Sequence, residues 1–143
     1  MGLDMDLYIS IDGYDIKSPT TISVGERQVT IDNNCYIKKN IAYWRKANAI
    51  HRWFINMCAE GIDDCQDVYV STADLKLLLY TCERVKDNNN LAEELLPTLE
   101  GFFFGSVEYD DYYYEMIDYT IKTIKEVLDY YGEGFSFIYR ASW

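Results

Sequence analysis

The densest chemistry in this chain lies in Glu108-Tyr109-Asp110-Asp111-Tyr112-Tyr113-Tyr114-Glu115, where four carboxylates interleave with four tyrosines. Tyrosine offers a large contact area at little entropic cost, and carboxylates set among aromatics match Arg-rich partners. Read as a surface, Glu108, Tyr109, Asp110, Asp111, Tyr112 and Glu115 would bind protein. Read as local structure, the acidic residues form the first turn of a helix, where the macrodipole favours negative charge. Three consecutive tyrosines must splay around such a helix, so at least one of them reaches solvent.

A second constellation is basic and aromatic. Arg45, Lys46 and Arg52 lie among Trp44 and Trp53 in the stretch Tyr43–Phe54. Such a set can hold a phosphate and stack a base. On a helix, His51 falls about two turns from Trp44 on the same side. Trp44, Arg45, His51 and Arg52, with Tyr109 and Asp110, therefore form a candidate small-ligand site between segments 43–54 and 102–114. The competing reading packs the tryptophans into the core and leaves the basic residues solvated or paired with carboxylates.

The case for catalysis is thin. His51 is the single histidine, and no Gly-x-Ser-x-Gly, P-loop or His-Glu-x-x-His motif is present. Asp63, Asp64 and Asp67 with Asp74-x-Lys76 could hold a divalent ion as nucleases do. That Asp-x-Lys opens a helix, however, whereas such sites sit at strand ends. A general base at His51 would need Tyr109 or Asp110 beside it, which sequence does not specify. Cys35, Cys58, Cys65 and Cys82 are widely spaced, unlike zinc ligands, and read as buried reduced thiols. No catalytic residue, metal or cofactor is assigned.

The elements that must position these residues follow from hydrophobic spacing. Leu7–Ile11 is a strand, and Asp12-Gly13 turns it. Residues 14–26 read as loop, and Gln28–Ile31 and Cys35–Ile37 as short strands. Residues 14–34 together form a β-excursion or a mobile loop. Tyr43, Ala47, Ile50, Phe54 and Cys58 recur at helical spacing and predict a helix from Ala42 to Ala59. Val68–Val70 is a strand. Ser71 and Asp74 resemble a capping box for a helix ending near Lys86, with Leu75, Leu78, Leu79, Cys82 and Val85 on its apolar stripe. Leu91–Leu96 makes one or two helical turns before Pro97. In Gly101-Phe102-Phe103-Phe104-Gly105 the three phenylalanines cannot share one face of a strand, so both faces are covered or one ring is exposed for binding. A long helix spans Asp110 to Tyr131, and Phe135–Tyr139 is the last strand. The expected fold is a single α+β domain over residues 1–143: a small, mostly antiparallel sheet packed by three main helices.

Composition fits this picture. The chain has 143 residues, 49% hydrophobic and 16% aromatic, enough to build a core. Thirteen Lys and Arg face 24 Asp and Glu, for a formal charge of −11. Residues 1–58 are near neutral, whereas 59–143 hold six basic and 18 acidic residues. A chain this acidic is repelled by a phosphate backbone, so direct nucleic-acid binding is not expected. No apolar run approaches a membrane span, and Met1–Asp6 is too acidic for a secretory signal.

Several segments resemble a group of small phage and prophage proteins. These are Met1–Tyr8, which is similar to an MGLDMYLY start, Tyr43–Phe54, Asp63-Asp64-Cys65, and Leu96-Pro97-Thr98 with Gly101–Ser106 and Glu108-Tyr109-Asp110. The terminal Ser142-Trp143 also fits. The likeness spans most of the chain outside about residues 12–40, and Asp6 and Val107 depart from the pattern. It supplies no chemistry, but it implies a cytoplasmic protein of a phage or mobile element. The expected function is therefore non-enzymatic inhibition of a host defence system, in the manner of an anti-CRISPR. The partner would be a basic effector that handles nucleic acid, bound through the acidic tyrosine face. The alternative is a protein that binds, sequesters or acts on a small ligand such as a nucleotide.

Overall fold

A computed structural model describes residues 2–143. Four strands form one antiparallel sheet: β1 (Asp4–Asp12), β4 (Tyr36–Arg45), β5 (Val68–Val70) and β6 (Ser136–Ser142), in the order β4-β1-β6-β5. The expected α+β architecture is what the chain adopts. Along β1 the side chains alternate, with Met5, Leu7 and Ile9 buried and Asp4, Asp6, Tyr8 and Ser10 on the open face. Phe137, Tyr139 and Ala141 of β6, and Val68 and Val70 of β5, continue the buried face. Helices α1 (Asn48–Cys58), α2 (Thr72–Asp87) and α4 (Asp111–Tyr131) supply the rest of the core, and α3 (Ala92–Leu95) is a single turn. No helix among the described residues is long and apolar enough to cross a membrane.

The helix expected from Ala42 starts six residues later. Residues 42–45 belong to β4, with Ala42 and Trp44 buried and Tyr43 and Arg45 exposed, a period of two rather than 3.6. The strand also absorbs the separate short strand expected at Cys35–Ile37. Aromatic and β-branched residues suit a strand, and pairing of Asp4 to Asp12 with Arg45 to Tyr36 wins over the local helical spacing. A bulge at Ile41 lets Tyr8 pair with Asn40 while Leu7 pairs with Ala42, which keeps Trp44 facing inward. Lys46, at φ +53°, then turns the chain into α1.

Residues 14–26, read above as loop, contain β2 (Thr20–Val24), which pairs with β3 (Arg27–Ile31) through the two-residue turn Gly25-Glu26. Gly25 adopts φ +60°, as a tight hairpin turn requires. Almost every residue of this hairpin is exposed.

The free edge of β4 is partly capped. Tyr112 and Tyr119, seven residues apart on α4, donate their hydroxyls to the outward carbonyls of Arg45 (2.5 Å) and Tyr43 (2.9 Å). These bonds occupy acceptors that would otherwise template a further strand. Ser71 and Asp74 form the expected capping box at α2, and Asp110 caps α4 by accepting from the Tyr113 backbone at 3.0 Å.

Candidate functional site

The acidic tyrosine segment opens α4 and is largely displayed. Glu108, Asp110, Asp111, Tyr112 and Glu115 are exposed, and Tyr109 is half-buried. The tyrosines splay as expected. Tyr113 is buried and donates to the Leu96 carbonyl at 2.8 Å, Tyr112 lies 42% exposed, and Tyr114 is intermediate. Burial raises the Tyr113 phenol well above its ordinary value, and desolvation raises that of Tyr112, with Arg45 opposing. Tyr109 accepts from the Thr98 backbone at 3.3 Å. Three of the six residues therefore carry structural duties: Asp110 as the helix cap, Tyr109 as a strut for the preceding loop, and Tyr112 as a cap on the β4 edge.

Along the sequence the charge of this segment is one-sided, although in space Lys46 and Arg45 lie beside it. From Asp87 to Ile121 the chain holds nine carboxylates and no Lys or Arg. Asp118 pairs with Lys86 at 2.7 Å. Among the described residues, no ion pair involves Glu93, Glu94, Glu100, Glu108, Asp111 or Glu115. Asp111 and Glu115 stand one turn apart on α4, beside Tyr112.

The basic-aromatic residues do not converge. Trp44 is buried on β4, donates its indole N–H to Thr120 Oγ1 at 3.0 Å and meets Phe54 edge-on. Arg45, on the open face of the sheet, pairs with Asp4 at 3.0 Å. Arg52 donates to the Thr98 carbonyl at 2.8 Å. Their dispersal follows from the strand register: residues 44 and 45 alternate across a sheet instead of sharing a helix with His51. Of the six residues named for a ligand site, Arg52 meets Tyr109 and Asp110 at the 98–110 segment through Thr98, while Trp44, Arg45 and His51 lie apart from it.

His51 is fully buried. Its Nδ1 lies 2.7 Å from the Tyr139 hydroxyl and its Nε2 lies 2.9 Å from Asp63 Oδ2. Asp63 Oδ1 accepts the Trp143 indole N–H at 3.1 Å. Tyr139 stacks on Phe54 at 4.1 Å between centroids, and burial holds its phenol well above the usual range. This chain ties α1, the 62–66 loop and the last strand together. It resembles a catalytic relay in composition, but His51 and Tyr139 are closed off within the core and only Asp63 reaches solvent, so the geometry reads as a structural lock.

Of the four acidic residues considered for a metal, three are engaged elsewhere, and Asp64 accepts from the Gln66 backbone at 3.3 Å. Asp63 belongs to the lock, and Asp74 caps α2. Asp67 accepts from Lys38 and Arg140 at 3.1 Å. Partial burial works to raise the Asp67 pKa, and the two cations outweigh it, leaving the carboxyl below its usual value. All four cysteines are free; Cys82 is buried and the other three are half-buried, more open than expected.

Asn48, which the sequence did not single out, organises the loop beside this face. It is buried at the start of α1 and makes three hydrogen bonds to the loop before α4. Its Nδ2 donates to the carbonyls of Phe104 (3.1 Å) and Ser106 (2.8 Å), and its Oδ1 accepts from the Leu99 backbone (3.1 Å). An Asn inside an apolar helical stripe was the one available signal. Beside it, a cleft of about 20 Å³ is lined by Lys46, Asn48, Thr98, Glu108, Asp110 and Tyr112. That is room for about one water, against the several hundred cubic ångströms of a typical ligand pocket. No family model, curated protein or solved structure matches this chain.

Proposed function

We propose that this is a non-enzymatic protein-binding molecule whose acidic tyrosine face covers a basic surface on its partner. The observation that carries the reading is the uncompensated charge: Glu108, Asp111 and Glu115 are exposed, unpaired among the described residues, and set beside Tyr112. Unpaired surface carboxylates contribute little to folding, whereas opposite a cluster of Arg or Lys they gain charge-assisted hydrogen bonds. A surface that is basic because it handles nucleic acid is the partner of matching chemistry. The resemblance of several segments to phage proteins supports a partner in a host defence system, which the protein would inhibit in the manner of an anti-CRISPR. The small-ligand alternative draws less support, because Trp44 and His51 are buried and the cleft between the two segments is water-sized.

The test is affinity capture from bacterial lysate with the wild type and with Glu108→Lys/Asp111→Lys/Glu115→Lys as baits, followed by elution with rising salt. Asp110 is left intact because it caps α4. The wild type is expected to retain basic, nucleic-acid-handling proteins that the triple variant loses and that salt releases. Equal retention by both baits would exclude the acidic face as the binding surface.

A further inference from the structure

The acidic face has an apolar neighbour. Phe102 is 84% exposed and Phe103 is 42% exposed, and their rings meet edge-to-face at 4.4 Å. The third phenylalanine, Phe104, turns inward, where it packs edge-on against His51 at 5.5 Å and against the exposed Trp143 at 6.0 Å. A single exposed apolar residue is ordinary on a protein surface; adjacent exposed rings on one turn are not.

This turn is held rather than loose. Leu3 donates to the Phe103 carbonyl at 3.3 Å, and Phe104 donates to the Gly101 carbonyl at 3.1 Å. Asn48 fastens the far side through Phe104 and Ser106. A side chain at Gly101 would sit 2.6 Å from the Phe104 ring, so the close turn needs glycine there. Phe103 takes φ +73°, a strained region for a bulky residue that persists only where its surroundings impose it. Rigid display of aromatic rings at low conformational entropy is how binding surfaces present their anchors.

We infer that Phe102 and Phe103 are the apolar anchor of the binding face, and that the partner is a protein offering an apolar helix face rimmed by Arg or Lys. Charge selects this occupant. Glu100 precedes the rings, Glu108 and Asp111 follow them, and no cation occurs in sequence between Lys86 and Lys122. Near the turn in space, Arg45 pairs with Asp4, whereas Lys46, whose stem packs beside Gly105, lines the cleft with Glu108 and Asp110 as a lone cation among them. The same acidity opposes insertion of the rings into an anionic bilayer. The inference rests on the reading of the acidic segment as a binding surface and adds to it a separate, salt-insensitive component.

The experiment uses a synthetic amphipathic helical peptide with leucines on one face and lysines beside them. Controls replace the leucines by serine or the lysines by glutamate, and anionic vesicles test the membrane arm. Binding is followed by amide NMR of the full chain, for the wild type, Phe102→Ser, and Glu108→Lys/Asp111→Lys/Glu115→Lys. The Leu-Lys peptide should shift amides at 101–105 and 108–115. Phe102→Ser should keep wild-type thermal stability and weaken binding at least about tenfold with an unchanged salt slope. Loss of binding in the charge variant alone, with Phe102→Ser unaffected, would overturn the anchor and leave the acidic face standing. Full binding by the charge variant would overturn the acidic face itself. Absence of shifts at 101–105 up to millimolar peptide, or shifts there with vesicles alone, would overturn a protein partner for the rings.

Discussion

Replacing Asn48 by Ala tests how the displayed loop is held. The side chain is 4% exposed and satisfies three backbone groups at once. The Phe104 carbonyl is buried, so leaving it unpaired costs about 1–3 kcal/mol. The Ser106 carbonyl and the Leu99 N–H lie nearer solvent and can partly rehydrate, so each loses about 0.5–1 kcal/mol. A water entering from the adjacent cleft offsets some of this, and the expected total is about 2–4 kcal/mol. For a chain of this length that lowers Tm by roughly 6–15 °C. Urea unfolding measures the global cost, and amide exchange at Leu99 localises it, since that N–H loses its acceptor. Asn48→Asp separates hydrogen bonding from volume. It retains an acceptor for Leu99 but sets a carboxylate against two carbonyls, so it should be worse than Ala at neutral pH. Those carbonyls and burial raise the new carboxyl's folded pKa, so its penalty should shrink as pH falls toward the unfolded value near about 4. A cost below about 1 kcal/mol for Asn48→Ala, with Leu99 still protected, would refute Asn48 as the organiser of the loop.

Two further outcomes follow from buried groups. Tyr139→Phe removes the partner of His51 Nδ1 in a dry site and should cost about 1–3 kcal/mol; a urea midpoint within error of the wild type would show that the lock is not under load. The chain should also weaken in alkali. Burial pushes the Cys58 thiol up to about 12 and raises those of Cys82, Tyr113 and Tyr139 above their ordinary values. The folded state thus keeps protons that the unfolded chain releases. Their contribution is intact below the unfolded values, about 8.5 for thiols and about 10 for phenols, and is lost as pH rises beyond them. Each fully buried group accounts for up to about 1.4 kcal/mol per pH unit there, and an unfolding midpoint unchanged between neutral pH and about pH 10.5 would contradict this.

What the sequence determined by itself was the material whose pattern is local. The stripe from Leu75 to Val85 needs only helical spacing to face one way, and Ser71 with Asp74 caps it through bonds spanning three residues. Likewise Asp110 and the spacing from Tyr113 to Val127 specify α4 without reference to the rest of the chain. The concentration of carboxylates after residue 59, and the need for at least one of three adjacent tyrosines to face solvent, are also properties of order along the chain.

Tertiary structure decided everything that depends on partners distant in sequence. Ala42–Arg45 carries a helical spacing and a strand composition at once, and pairing with β1, some forty residues away, resolved the conflict. That pairing sent Trp44 inward to Thr120 and Arg45 outward to Asp4, and so dispersed a site that looked contiguous in one dimension. His51 shows the same limit. Its meaning depends on Asp63, Tyr139 and Trp143, brought together by a loop and the final strand, and burial turned a candidate base into a lock. Phe102 and Phe103 face solvent because Asn48, fifty residues upstream, holds the carbonyls around them. Hydrogen bonds between a side chain and distant backbone groups leave no periodic trace in a sequence, and they help decide which of three adjacent phenylalanines turns inward.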